Sequence, residues 1–270
     1  MSDSVHYERA REHLEALGLN AALSELDGVL DSAAREERAP AWVLDQLLTS
    51  ERASRFERRV NANLKLSGIP NRKTLDEFDY DAQPGVPKRV VDELATLRFV
   101  RDGHNVLILG PTGVGKTHLA IGLALKAIEH GHRTYFLTLH DLVNKVRLAR
   151  EKNRLHVLHA TLQRADVWLL DELGFQPLDR QDATFLFEAV NKRYAAGKST
   201  IITSNKSYGQ WHEIFPDPVL AVALLDRLLH HSTVLNIRGD SYRQRHRKQA
   251  GLPSLQGAKP EPEELRGANM

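Results

Sequence analysis

Residues 110–117 read Gly-Pro-Thr-Gly-Val-Gly-Lys-Thr, a complete G-x-x-x-x-G-K-[ST] phosphate-binding loop, and no other feature restricts the fold of this chain so tightly. The motif works only between a strand and a helix, and both flanks fit. The apolar run Asn105–Leu109 comes before it, and a helix-forming stretch over 118–130 comes after it. In that setting Gly110, Gly113 and Gly115 permit a tight turn. The loop they form with Pro111, Thr112 and Val114 aims backbone N–H groups at phosphate oxygens. Lys116 supplies a point charge for the β- and γ-phosphates, and the Thr117 hydroxyl is a ligand for Mg²⁺. These residues predict a bound nucleoside triphosphate.

From residue 90 onward, helical and apolar strand-like segments alternate. The pattern predicts helices over 90–100, 118–130, 141–162, 183–195 and 220–230. Strands are expected over 106–109, 134–139, 167–170, 200–203 and 234–237. Such alternation implies a three-layer α/β fold, a parallel sheet covered by helices on both faces. Its ligand lies beyond the carboxyl ends of the strands. Residues 1–65 read as a small all-helical domain, with Leu14, Leu17, Ala21 and then Leu26, Leu30, Ala33 at helical spacing. After Pro40 a third helix sets Leu44, Leu48, Phe56, Val60 and Leu64 on one stripe, and Arg52, Arg55 and Arg59 on another face. Residues 66–89 contain Gly68-Ile69-Pro70 and Gln83-Pro84-Gly85-Val86-Pro87, which interrupt helices, and are expected to form the linker and the start of the core, which begins near Thr74. Residues 90–250 form the nucleotide-binding domain, and the Pro-containing tail over 251–270 is expected to be disordered.

A second piece of chemistry lies at the end of the third strand. The run Val167-Trp168-Leu169-Leu170 ends in Asp171-Glu172. Asp171 there can hold Mg²⁺ through water, and Glu172 can orient and deprotonate an attacking water, which points to hydrolysis. Asp171-Glu172-Leu173-Gly174 also fits D-x-x-G, and Asn205-Lys206 begins the guanine motif N-K-x-D. The fourth position is Tyr208, so the carboxylate that would read guanine is missing and adenine is favoured. Asn205, at the end of the fourth strand, can reach a γ-phosphate. Arg227, on the helix over 220–230, is read as a finger that enters the nucleotide site of a neighbouring copy.

The order Gly110–Thr117, Asp171-Glu172, Asn205, Asp226-Arg227 resembles the AAA+ ATPases of the DnaA/DnaC clade, a branch of the P-loop NTPases. Within that clade it is most similar to the IstB family of helper ATPases, encoded beside the transposase in bacterial insertion sequences. The resemblance extends to about residue 250. It is carried by "YERAREHLEALGL", by the stretch around the phosphate loop, and most specifically by "TSNKSYGQWHEIFPDPVLAVALLDRLLHHSTVLNIRGDSYR". It implies Walker A roles for Lys116 and Thr117 and Walker B roles for Asp171 and Glu172. It further implies sensor I at Asn205, an arginine finger at Arg227 and a second-sensor position at Arg243. ATP and Mg²⁺ are then the cofactors. The family pattern implies a homo-oligomer with ATP at its subunit interfaces, which assembles on DNA and delivers it to a cognate transposase. A DnaC-like replicative helicase loader is the alternative.

The segment over 143–164 resembles the helical insertion that such ATPases point at DNA. It carries Lys145, Arg147, Arg150, Lys152, Arg154 and Arg164 against Glu151. Few aromatic residues accompany these cations, so sequence-independent contact with a duplex backbone is expected rather than base stacking. Arg238, Arg243, Arg245, Arg247 and Lys248 form a second basic cluster. His156/His159 and His230/His231 lack a third ligand for zinc. Cysteine is absent, which excludes disulfides and thiolate metal sites. With no apolar run of 18 residues and a charged N-terminus, the chain is expected to be soluble and cytoplasmic, with no membrane partner.

Overall fold

Three helices lead the computed structural model, which describes residues 3–239 and 241–242: α1 (Asp3–Ala16), α2 (Asn20–Arg35) and α3 (Pro40–Leu66). Ala22 and Leu26 of α2 meet Leu47 of α3 in a small core of their own. The seam between these helices also holds a buried carboxylate. Glu51 of α3 accepts from the N–H groups of Ala21 (2.9 Å) and Ala22 (3.4 Å), the exposed donors at the start of α2, and from Arg55 Nε at 2.7 Å. Because Leu47, Glu51 and Asn63 are the buried residues of α3, the stripe expected at Leu44, Leu48 and Phe56 faces water instead. Helical periodicity gave the right element and the wrong face, since a polar residue at 51 marks the packed side. Leu17 and Leu30 are likewise exposed.

The Arg55 hydrogen bond, with the two backbone N–H groups, holds the Glu51 carboxyl below the usual carboxylate range. A depressed carboxylate stabilises the fold above its unfolded pKa, and that contribution fades as pH falls through the folded value. Thermal melts from about pH 7 to about pH 3 are therefore expected to show the helical unit loosening in acid. In Glu51→Gln that unit melts earlier at neutral pH, with a flatter acid limb. Identical pH profiles for the two proteins would contradict this role.

The C-terminal end of α3 is tied to the sheet domain. Asn63 Nδ2 donates to Gly131 O and His132 O, each at 3.4 Å, and Ser67 O accepts from Phe136 N at 2.7 Å. Next come α4 (Lys88–Ala95) and α5 (Arg98–Arg101), where one helix over 90–100 was expected. Leu97 between them adopts φ +59°, which no α-helix continues through.

The core then alternates β1 (Asn105–Leu109), α6 (Lys116–Glu129), β2 (Thr134–Thr138), α7 (Leu139–Glu151), α8 (Leu155–Arg164), β3 (Val167–Leu173), α9 (Arg180–Ala195), β4 (Ser199–Ser204), α10 (Pro218–Leu229) and β5 (Ser232–Asn236). All strand pairs are parallel, in the order β2-β3-β4-β1-β5. Alternate residues of each strand serve opposite layers. Leu107, Leu109, Trp168 and Leu170 face α7, α9 and α10, whereas Val106, Ile108, Val167 and Leu169 face α6 and α4. Burial on both sides explains why β1 and the first four residues of β3 are almost wholly apolar.

The helix expected over 141–162 is two helices. Lys152, Asn153 and Arg154 separate α7 from α8, with Asn153 at φ +53°, a conformation asparagine tolerates better than most residues. Strand β3 runs three residues past the expected 167–170, to Leu173, with a register irregularity between Leu170 and Leu173. Arg193 of α9 is buried, donating to Leu162 O, Ala165 O and Ser199 O. Burial lowers its guanidinium to about 10. No helix among the described residues is long and apolar enough to cross a membrane.

Candidate functional site

The loop over 110–115 leaves β1 and enters α6 with Gly115 as its N-cap at φ +93°. A side chain at Gly115 would meet the Phe78 ring at 2.6 Å, and one at Gly113 would meet Ser241 Oγ at 2.1 Å. Only glycine fits at either position, because the turn is pressed against neighbouring segments and both residues have φ near +90°. Lys116 and Thr117 occupy the first turn of α6, where unpaired N–H groups and the helix dipole favour an anion. Lys116 is buried, and its Nζ donates to Pro111 O at 2.7 Å. Gly110 and Val114 shape the loop from behind. Val114 is fully buried, and Gly110 backs onto Ile237 O.

Asp171 sits at the end of β3, 3% exposed, and accepts from Thr117 Oγ1 with both oxygens, at 3.0 and 3.1 Å. Thr203 of β4 also donates to Asp171 Oδ1, and its Oγ1 accepts from Glu172 N at 2.9 Å. One threonine thus fixes both acidic residues. Glu172 itself lies in the strand irregularity with φ +63°, which turns its side chain out of the sheet. Non-glycine residues held at such a φ cluster at active sites and switch regions. Asn205 comes directly after β4; its Oδ1 is buried without a hydrogen-bond partner and lies 3.0 Å from where a Gly174 Cβ would stand.

These pieces converge on one cavity of about 480 Å³. Of the expected residues it is lined by Thr112, Gly113, Gly115, Lys116, Thr117, Glu172 and Asn205. The glycine cradle and the lysine on the first helical turn suit a polyphosphate, and the orphaned Asn205 Oδ1, an acceptor, suits a water beside it. The hydroxyl–carboxylate pair of Thr117 and Asp171 is a hard-oxygen donor set of the sort a hydrated Mg²⁺ accepts.

Part of the wall was not foreseen. Lys73, Glu77, Phe78, Asp79 and Gln83 come from the segment read as linker and start of the core, with no site role expected there, and Tyr242 comes from beyond β5. His118 of α6 holds that linker segment, its Nε2 2.8 Å from Thr74 O and its ring edge-on to Phe78 at 5.3 Å. Tyr242 N donates to Gly113 O at 2.9 Å. No motif marks the residues over 73–83, where the hint is Phe78 and Tyr80 within a polar stretch; Tyr242 lies in the C-terminal stretch that carries the resemblance. Arg243, Arg245, Arg247, Lys248 and the tail over 251–270 lie outside the described residues.

Arg227 does not line this cavity. Its Nε donates to Asn191 Oδ1 at 2.6 Å, its Nη1 to Ala223 O at 3.0 Å, and its guanidinium stacks 5.3 Å from the centre of Phe187. The basic segment also differs from expectation. Arg147 bonds Asp182 Oδ2 through Nε (3.2 Å) and Nη2 (3.1 Å) and reaches Asp179, while Arg150 lies 3.6 Å from Asp182. Glu151 is therefore not the only acid opposing these cations; two aspartates at the start of α9 hold two of them. Burial raises the Asp182 carboxyl and Asp179 adds to the effect, whereas the Asp182 N–H lowers Asp179. Lys145, Lys152 and Arg154 remain exposed and make no ion pair among the described residues. Elsewhere, His159 faces Glu188 at 3.4 Å, and His230 meets the Tyr194 hydroxyl at 3.0 Å.

Over residues 12–250 the sequence matches the family described as IstB-like ATP binding protein. A protein of Pseudomonas aeruginosa named for insertion sequence IS21 and ATP binding is 44% identical over 227 residues, 84% of this chain and 85% of that one. A counterpart named for insertion sequence IS5376, from Geobacillus stearothermophilus, is 41% identical over 241 residues, 89% and 96% of the two chains. Among solved structures, AMPPCP-bound DnaA from Aquifex aeolicus superposes with a TM-score of 0.55 at 20% identity, over 69% of this chain and 58% of that one. That likeness concerns the fold, an AAA+ P-loop domain.

Proposed function

Because this chain belongs to the IstB-like family of ATP-binding proteins, we propose that it hydrolyses ATP, assembles on duplex DNA through ATP held between copies, and assists the transposase of its insertion sequence. The observation that carries the hydrolytic part is the pairing of Asp171 with Thr117 beside an outward-turned Glu172 on the wall of the phosphate cavity. Thr117 and Asp171 would hold Mg²⁺, which when bound supplies charge stabilisation for the transferring phosphoryl group. Lys116 binds the β- and γ-phosphates. Asn205 offers its amide to the γ-phosphate and to the water beside it, and Glu172 takes that water's proton.

Arg227 acts in the site of a neighbouring copy, a reading supported by its absence from the lining of the cavity in its own chain. An arginine that reaches ATP only in the assembled state makes the nucleotide favour assembly, and hydrolysis removes that preference. The relatives' names favour a transposition helper over a helicase loader. A loader would be encoded beside replication genes rather than a transposase. The chain is proposed to work in the cytoplasm.

Lys145, Lys152 and Arg154 are the DNA contacts, with Arg147 and Arg150 bracing α7 against α9. Duplex binding in the presence of ATP, measured across salt, tests this. Affinity is expected to fall about 10³-fold or more between 50 and 200 mM salt for an assembled array. Replacing the three exposed cations by Ala should flatten the log–log slope by about 3 per copy engaged. A chain that stays monomeric with ATP and Mg²⁺ and ignores DNA would overturn the reading.

A further inference from the structure

Helix α3 presents an exposed ridge whose far end, at Phe56 and Arg59, abuts the Gly131 turn of the sheet domain. Leu44, Leu48, Arg52 and Phe56 recur at intervals of four, with Arg59 beyond them. Such i+4 rows are the ridges by which helices interdigitate, and this one runs for about 22 Å. Its apolar members stand in water, with Leu44 61%, Leu48 54% and Phe56 40% exposed. In the second half of the row, Thr49, Ala53 and Phe56 floor a groove of about 630 Å³ rimmed by Arg52, Arg55 and Arg59. Among the described residues, no carboxylate lines it.

The rim is cationic in a specific way. Arg55 is held at 2.7 Å by the buried Glu51, which also takes Arg58. Arg52 and Arg59 make no ion pair among the described residues, and Arg59 lies 5.3 Å over the Phe56 ring. Stacking on an aromatic face pre-orders the guanidinium for a carboxylate. An aromatic ring beside arginines is a composition enriched at protein–protein interfaces.

Two other occupants fit less well. A second copy laid antiparallel, ridge centre on ridge centre, would set Arg52 against Leu48 and Leu44 against Phe56, so the row itself brings no carboxylate to the arginines; a parallel copy would pair every arginine with itself, and like charges so juxtaposed oppose association. A DNA backbone would satisfy the arginines but leave three large apolar side chains against phosphate and water. We propose that the α3 ridge docks an acidic amphipathic helix of another protein. Leucine or aromatic anchors of that helix enter the groove, and flanking Asp or Glu meet Arg52 and Arg59. This surface is separate from the nucleotide cavity, and the inference does not depend on the ATPase reading.

The test uses the intact chain and two labelled helical peptides of about 18 residues with one shared Leu/Phe face, flanked by Glu in one and by Lys in the other. Fluorescence anisotropy should show the Glu peptide binding and the Lys peptide not. Arg52→Glu with Arg59→Glu should weaken the Glu peptide at least about tenfold and admit the Lys peptide. Leu48→Ala, a surface change that spares the fold, should weaken the Glu peptide as well. Circular dichroism and retained ATP binding confirm that the variants are folded. The proposal is overturned if neither peptide binds, if both bind equally, or if duplex DNA displaces the Glu peptide from the wild-type chain. A sedimentation mass that drops in Leu48→Ala without peptide would also overturn it, assigning the ridge to a second copy.

Discussion

Glu172→Gln is expected to lower ATP turnover by about 10²–10⁴-fold while ATP remains bound, the range that separates a positioned general base from its absence. The geometry makes this substitution clean. Glu172 takes its position from its backbone, through the Thr203 hydroxyl that accepts from its N–H and through its left-handed φ. The side chain itself is exposed at the cavity wall. Gln keeps the size and loses the proton acceptor, so Asp171, Thr117 and the loop are undisturbed. Hydrolysis is then the only route out of the ATP state that is blocked, and the variant should stay longer on DNA than the wild type. Single-turnover kinetics separates the two readouts. Wild-type turnover by the Gln variant would remove Glu172 from the chemistry, and loss of ATP binding would mean that it holds the site together instead.

Lys116→Ala should act on the other side of the cycle. Removing a buried charge whose partner is a phosphate costs on the order of 2–5 kcal/mol, or about 30- to several-thousand-fold in affinity for ATP. The buried lysine sits on the first turn of α6 with its ammonium 2.7 Å from Pro111 O, at the mouth of the phosphate loop. Equilibrium binding of a fluorescent ATP analogue measures the effect, and an unchanged Kd would refute it. The same variant also probes Arg227. A Lys116→Ala copy retains the arginine, and an Arg227→Ala copy retains the phosphate site, so mixed assemblies contain some interfaces with both. Partial recovery of turnover on mixing is expected; no recovery would mean that Arg227 serves only the α9–α10 packing seen in its own chain.

The loop at 110–117 and the acidic pair were legible because each lies at the end of an apolar strand run, and Asn205 because it follows the β-branched run Thr200–Thr203. Topology alone then brings them to one sheet edge. The hidden residues depend on contacts distant in sequence. Thr203 looks like an ordinary β-branched strand residue, yet it joins Asp171 to Glu172. Phe78 and Gln83 fall in a segment whose prolines read as a spacer, and only the fold presses them against the phosphate loop. Arg147 and Arg150 counted as free cations because Asp179 and Asp182 lie some thirty residues away. Periodicity likewise could not tell which side of α3 is packed, since the deciding residue, Glu51, is charged.

Helix α3 runs from Pro40 to Leu66 with no glycine or further proline, about 40 Å of continuous rod. Its last turns are clamped to the turn between α6 and β2, next to the edge strand. The helical unit is thus a lever whose fulcrum sits at the far end of the same helix that begins with Lys116. A slight tilt of α6 when the phosphate cavity fills or empties would be magnified along that arm into a sweep of several ångströms at the tip.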